Sequence, residues 1–275
     1  MKNINEAFSQ TTQILLGKKL EGIENYQEWL YSQIQGRVIE KKSKLSDNSV
    51  YVASMIFFIK MQNNVVTLNE SLQLANKKIQ LEQNQTLKNL FKQAAKISLT
   101  TPEIIYDKNM GTEACGCYGP TQDCYKSTFT WFCKAVAYSF WARTSEYCFG
   151  CSNIVDSKYC MRCFSCAKLT RCFEMSDCNL CSDSLFCHNC ENVENSIFCF
   201  NAKGLRYAIA NVQYTKEEYM RLKKIILEEI NNNLAESKNP KISIFSLGKK
   251  SGAEPKSQSP FEKKELLLSK NPKNK

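Results

Sequence analysis

The sequence predicts an α+β protein: a helical N-terminal domain, a tight β-solenoid laddered with cysteines, a capping helix and a disordered tail. Three observations predict it. From Thr112 to Ala208 every third residue is uncharged and is small, thiol, hydroxyl or apolar; fourteen of the fifteen cysteines keep that phase and only Cys117 falls outside it. The phase stops at Asn109 on one side and Asn211 on the other. A Ser-x-aromatic-Cys motif recurs at Ser145–Cys148, Ser157–Cys160, Ser184–Cys187 and Ser196–Cys199. Capping-box signals, Thr67 with Glu70 and Thr215 with Glu218, mark helices on both sides of the repeat.

A strict period of three excludes the ordinary elements. A helix repeats at 3.6 residues and a strand at 2. A 3₁₀-helix rarely runs beyond one or two turns, and a collagen-like chain needs Gly at each third position. What remains is a solenoid in which each short side turns one residue inward. The motif cysteines Cys133, Cys148, Cys160, Cys172, Cys187 and Cys199 are spaced 15, 12, 12, 15 and 12. Coils of 12 and 15 residues follow, with those six thiols in one internal structural ladder at about 4.8 Å per rung. One coil cannot bury a core alone, so the coils must stack.

The elements follow in order. Residues 1–110 read as helical. Ile23, Tyr26, Leu30 and Ile34 mark one amphipathic segment, and the Thr67 capping box opens a long helix. Its apolar face is Leu68, Leu72, Ala75, Ile79, Leu87, Leu90, Phe91 and Ala94, and it ends before Pro102. Val50 to Ile59 is the longest uncharged apolar stretch; it is too short to span a bilayer and reads as a buried helix. Residues 111–210 form the solenoid. Residues 211–235 carry the capping helix, with Tyr219, Leu222, Ile225, Ile226 and Ile230 on its apolar face, because an open solenoid end needs a cap. Residues 236–275 hold ten Lys, four Glu and four of the six prolines, a composition of disorder. Their net charge of +6 supplies most of the chain's +10, so the basic balance belongs to the tail.

Met1 to Phe8 lacks the basic and apolar regions of a signal peptide, which points to a cytoplasmic protein whose cysteines stay reduced as small buried hydrophobes. If disulfides form, Cys160–Cys166 and Cys172–Cys178 are the pairs that reach across a narrow coil. A serine replacing a dry inward thiol would bury a hydroxyl without an assured partner.

Five C-x-x-C steps raise the question of zinc. Cys178, Cys181, Cys187 and Cys190 are the alternative metal set, and Cys148, Cys151, Cys160 and Cys163 have the same spacing. Two adjacent in-phase triplets also generate C-x-x-C, and Ser, Val, Ile and Leu fill the same phase elsewhere. The reading is therefore a structural ladder without a cofactor, with zinc as the alternative. His188, the lone histidine, lies in an outward phase next to Cys187 and makes no nucleophilic pair with it. Asp123, Asp156, Asp177 and Asp183 are outward and read as solvated carboxylates. With no phosphate loop and no H-E-x-x-H motif, the chain reads as a non-enzyme.

Phe132, Tyr147, Tyr159, Phe186 and Phe198, each preceding a motif cysteine, form a candidate aromatic interaction ladder that Arg171 interrupts. Exposed, such a row is an interaction patch or a platform for nucleic-acid bases. Otherwise the N-terminal helices cover it.

The coil pattern of roughly residues 112–208 resembles that of the beetle antifreeze proteins, which also turn Cys, Ser and Ala inward. Those present ranks of Thr to ice, where this chain has Glu146, Lys158, Thr170, Leu185 and Ile197. The chain as a whole is similar to uncharacterised Cys-rich triplet-repeat proteins of small archaea and candidate-phylum bacteria. Those likewise run from the repeats into a segment like Asn211-Val-Gln-Tyr-Thr-Lys-Glu-Glu-Tyr219. The resemblance implies an architecture and no activity. The expected function is that of a structural or interaction protein that uses the solenoid as a binding scaffold for a protein partner. The alternative is a zinc-binding module on nucleic acid, which the basic tail would also contact.

Overall fold

A computed structural model describes residues 1–54, 64–80 and 86–248. Met1–Ile244 forms one compact unit and Phe245–Lys275 a second, of which residues 245–248 are described.

The solenoid is a stack of parallel twelve-residue coils. Cys148 pairs with Cys160 and Cys160 with Cys172; the step continues from Phe173 to Leu185 and from Leu185 to Ile197. Only the first coil is longer by one residue, Ile104 facing Cys117 while Asn109 faces Thr121. The out-of-phase Cys117 sits at that irregularity. Every in-phase residue from Cys133 to Ala202 is buried.

The backbone explains the triplet. Every third residue from Asp123 to Asn201 has φ between 42° and 65°, the left-handed region. Each such residue turns a corner, and four corners close a coil. An L-residue there costs about 1 kcal/mol, less for Asn and Asp, and glycine, which has no Cβ, escapes the cost. Asn153, Asn189, Asn192, Asn195, Asn201 and Gly150 are corners, and so are Asp123, Asp156, Asp177 and Asp183. The four carboxylates read as scattered surface charges thus occupy turning points that favour short polar side chains. Ladder bonds between coils offset the cost, as in Lys168 N–H to Val155 O at 2.9 Å and Lys158 N–H to Leu169 O at 2.9 Å.

The inward side chains have a second task. Ser139 Oγ donates to Ala137 O and accepts the amide of Cys151, one coil on, at 3.1 Å. Cys151 Sγ repeats this with Phe149 O at 3.5 Å and the Cys163 amide at 3.4 Å. A one-atom side-chain donor–acceptor satisfies an inward amide that would otherwise be buried unpaired. For serine the expectation that a hydroxyl there lacks a partner is therefore corrected, since Ser139 and Cys151 do the same work in one column, whereas the inward Thr130 hydroxyl is buried without a partner among the described residues.

Around the solenoid, helix α1 (Lys2–Leu16) and helix α2 (Gln27–Tyr31) cover one wall. Phe8 of α1 meets Phe149 edge-on at 5.4 Å, and Trp29 of α2 meets Phe173 at 6.1 Å. Their buried residues share one core with Met161, Phe173, Phe186 and Ile197 of the coils. Out-of-phase residues on this wall are buried. Leu185 and Ile197 are among them, so the outward rank of Glu146, Lys158 and Thr170 continues instead to Ser182 and Glu194.

The N-terminal region also departs from the all-helical expectation. Val38–Lys42 (β1) and Ser49–Ala53 (β2) form an antiparallel hairpin. Val50 and Val52 are buried between half-exposed Tyr51 and Ser49, a period of two at the start of a stretch read as a helix; residues 55–63 lie outside the described ones. The long helix is two short ones, α3 (Leu68–Leu74) and α4 (Leu87–Ala94), with residues 81–85 outside the described set. Neither buries a residue, and an isolated helix without a buried face does not propagate far. The Thr67–Glu70 capping box is present, and Ser43 and Ser46 each donate to Glu70 at 2.6 Å, tying the hairpin turn to α3. These bonds hold the Glu70 carboxyl down at about 2.

Helix α5 (Lys216–Glu236) opens with the Thr215–Glu218 capping box. Tyr219 packs on Tyr207 of the last coil at 5.6 Å, and Ile230 and Leu234 return to the core beneath α1 and α2. The chain stays ordered past the expected boundary at 236: Ser243 and Ile244 are buried. Residues 249–275, where most of the disorder expectation falls, lie outside the described residues.

Candidate interaction surface and thiol core

The thiol ladder is several columns, not one. Cys148, Cys160 and Cys172 share a column with Val136 before them and Ser184 after. Cys133 stands over Ser145 in another, and Cys187 and Cys199 follow Met175 in a third. A 15-residue step is one coil plus one triplet, so it moves the next cysteine to the adjacent column. A fifth triplet in a coil would instead have shifted the register of every later strand, and the strands keep theirs.

The same geometry separates the alternative zinc set. Cys178 and Cys190 share a column, Cys181 lies in the next and Cys187 in the one on its other side. Among the described residues no group of three or more His, Cys, Asp or Glu is placed to hold a metal ion. All fifteen cysteines are free and buried. The Cys160 thiol meets those of Cys148 and Cys163, and the Cys166 thiol meets that of Cys178, so the within-coil disulfide pairs are not the neighbouring ones. Burial pushes the Cys115 thiol up to about 12 and that of Cys133 up to about 11.

The aromatic row is also divided. Tyr147 and Tyr159 stack at 4.8 Å along one corner. Arg171 takes the next place there and forms a two-point bond with Asp183, 2.6 and 2.7 Å, so it continues the row as an ion pair. Phe186 and Phe198 stack at 5.0 Å along a different corner, where Phe186 is buried under the helices. Phe132 occupies a third corner and is 57 % exposed. His188 faces Asp177 at 3.5 Å, while the Cys187 thiol points inward to Leu185 O.

Two features escaped the sequence reading. One is a buried ion pair, Arg162 with Glu174, at 1 % and 0 % side-chain exposure. Arg162 also donates to Trp29 O and to Ser32 Oγ, and its guanidinium lies 5.2 Å from the Trp29 ring. Glu174 accepts from Ser243 Oγ at 3.0 Å and Ile244 N at 2.9 Å. The pair fastens α2 and the segment after α5 to the same two coils. Both are outward corner residues with nothing local to mark them as buried; their twelve-residue separation was the available signal.

The other is an aromatic cluster near the first coils. Phe129 lies 5.8 Å from both Trp131 and Phe140; Trp141 stands one coil over Phe129 and is 58 % exposed, and the exposed Phe132 occupies the next corner of the same coil. Two glycines seat it. A Cβ on Gly36 would fall 2.0 Å from the Phe140 ring, and one on Gly119 would fall 2.3 Å from the Trp131 indole. Single aromatics on corners look unremarkable in sequence; only coil stacking gathers them. A cleft of about 340 Å³ lies elsewhere, lined by Val38, Glu40, Tyr51, Glu113, Tyr125 and Lys126 among others.

Fold and surface together define a right-angled, thiol-cored β-solenoid with a helical cover on one wall and an aromatic cluster near one end. Comparison with protein-family models, with curated proteins and with solved structures found no match for the chain. Among the described residues no helix is long and apolar enough to cross a membrane.

Proposed function

We propose that the protein is a non-enzymatic interaction scaffold whose binding face is the cluster of Phe129, Trp131, Phe132, Phe140 and Trp141. The observation that carries this reading is the pre-seated patch itself. Two large aromatics stand exposed on rigid corners, and their neighbours are pinned over glycine. Rigid aromatic anchors that lose little freedom on docking are what protein interfaces use as hot spots. A protein partner fits this surface, and the lysines of residues 236–275 add weak electrostatic attraction.

A photo-crosslinking residue placed at Trp141 in the full-length chain, expressed in its native cells, tests this. One discrete protein adduct is expected. Phe132→Ser with Trp141→Ser should weaken the interaction by about 30-fold or more, the loss of roughly 2 kcal/mol typical of an anchor, while the melting temperature holds. Adducts spread over many proteins, or capture unaffected by the double substitution, would rule the patch out. An adduct to nucleic acid would move the assignment to a base-stacking surface.

A further inference from the structure

Four thiols in the middle of the stack close a ring. Cys148 touches Cys151 and Cys160, Cys151 touches Cys163, and Cys163 touches Cys160. Two of these contacts run within a coil and two run between coils. The between-coil partners are register neighbours of parallel strands: Cys148 faces Cys160 directly, and Cys151 and Cys163 sit one twelve-residue step apart on a shared amide–thiol bond. Register neighbours are about 4.8 Å apart at Cα, inside the window of roughly 4.4–6.8 Å that a disulfide spans. All four side chains are fully buried, and no acidic, basic or imidazole group lies in their columns between Val136 and Met175.

We propose that this ring is a redox site that takes hydrogen peroxide and forms two cross-coil disulfides, Cys148–Cys160 and Cys151–Cys163. In each, one thiol gives up its proton and its sulfur attacks a peroxide oxygen. The O–O bond breaks, a sulfenic acid forms and one water leaves. The partner thiol's sulfur then attacks the sulfenic sulfur, and its S–OH bond breaks with loss of a second water. Two thiols are oxidised and one peroxide is reduced to two waters. Peroxide is small and neutral, so it enters a core that excludes bulky disulfide donors. The product is neutral as well, which a dry interior tolerates where it would not tolerate a lasting charge. Cys151 is suited to begin: burial raises its pKa, but hydrogen bonds from the Cys148 and Cys163 thiols outweigh that and lower it. The consequence is a pair of adjacent coils stapled to each other at two neighbouring columns, so that these two coils can no longer peel apart.

The test uses the full chain, treated with peroxide while folded, then quenched, alkylated and cleaved with trypsin. Cuts after Arg143, Lys158, Arg162 and Lys168 place Cys148 and Cys151 in residues 144–158, Cys160 in 159–162, and Cys163 with Cys166 in 163–168. The expected product joins all three peptides, lighter by about 4 Da than their sum because each disulfide releases two hydrogens. Cys160→Ser should remove 159–162 from that product and leave the other two joined. Serine already fills the same column at 184 and 196, so this variant keeps the fold. Overturning results are an internal Cys148–Cys151 link, four thiols still free after peroxide has oxidised a small free-thiol control, or the same links in equal yield from chain unfolded in denaturant.

Discussion

The side-chain amide of Asn211 stands in for a missing strand: its Oδ1 accepts the Phe200 amide at 2.8 Å and its Nδ2 donates to Phe200 O at 2.9 Å. Asn109 does similar work at the other end, its Oδ1 accepting both the amide of Thr121 at 3.0 Å and its hydroxyl at 2.7 Å. Both asparagines occupy in-phase positions just outside the repeat. Asn211 thereby closes an edge that would otherwise template pairing with a second chain, whereas Asn109 lies in the edge strand itself and ties it to the coil inside.

Asn211→Leu removes both bonds and puts leucine at φ 64°, a left-handed position that favours asparagine. Stability should fall by about 1–2 kcal/mol, and concentration-dependent association should appear in sedimentation. A variant that stays as monomeric as the parent at high concentration would show that the edge is closed by other means.

Glu174→Gln leaves the Arg162 guanidinium buried without its counter-charge and should cost about 3–5 kcal/mol in urea unfolding. Adding Arg162→Met should recover more than half, because the uncompensated charge is then gone while Gln still accepts from Ser243 and Ile244. If the double variant is no better than the single one, the pair is not a coupled charge site.

Cys172→Ser should cost less than about 1 kcal/mol. The thiol donates to Thr170 O and Cys181 O, each at 3.5 Å, and accepts the Ser184 amide; a hydroxyl meets the same groups. Cys172→Ala strands that amide and should cost about 1–3 kcal/mol. Cys172→Lys buries a charge and should abolish folding. Thermal melts of the three variants, ranked otherwise, would refute the relay.

Alkali should unfold the protein through its thiols. The folded Cys133 and Cys115 thiols titrate at about 11 and about 12, above the ordinary thiol value of 9. Their contribution is complete below pH 9 and is lost as pH rises toward 11 and 12, because the unfolded chain releases those protons first. For Cys133 the loss is on the order of 2–3 kcal/mol. Melting temperature measured from pH 8 to 11 should fall, and Cys133→Ser should flatten part of the decline. A curve unchanged by that substitution would contradict the buried-thiol account.

The solenoid was legible because one backbone rule repeats: each triplet spends one residue on a left-handed corner and one on the core, so every in-phase residue from Cys133 to Ala202 is buried, while out-of-phase burial lies mostly on the wall the helices cover. The column assignment was not legible from motif spacing. Ser145-x-Tyr-Cys148 and Ser184-x-Phe-Cys187 look alike locally, yet they sit a column apart, since columns are set by counting in twelves. The β1–β2 hairpin was missed because its few alternating residues lead into the apolar run that follows. The helical cover was anticipated in kind, but the Arg162–Glu174 fastening was not, because burial of a charged corner depends on what packs over it. The aromatic cluster arises only from stacking, with Phe129 and Trp141 twelve residues apart.

A right-angled coil of four triplets constrains how the chain can change length. Insertion or deletion of three residues keeps every downstream thiol facing inward, yet turns each following wall by a quarter turn, carrying Phe186 out from under α2 and α5. Only changes of twelve preserve both the interior and the faces. The protein can therefore lengthen by whole coils between Asn109 and Asn211 without disturbing its helical cover or its aromatic cluster, and a natural variant with a single extra triplet there would expose a greasy wall and bury a charged one.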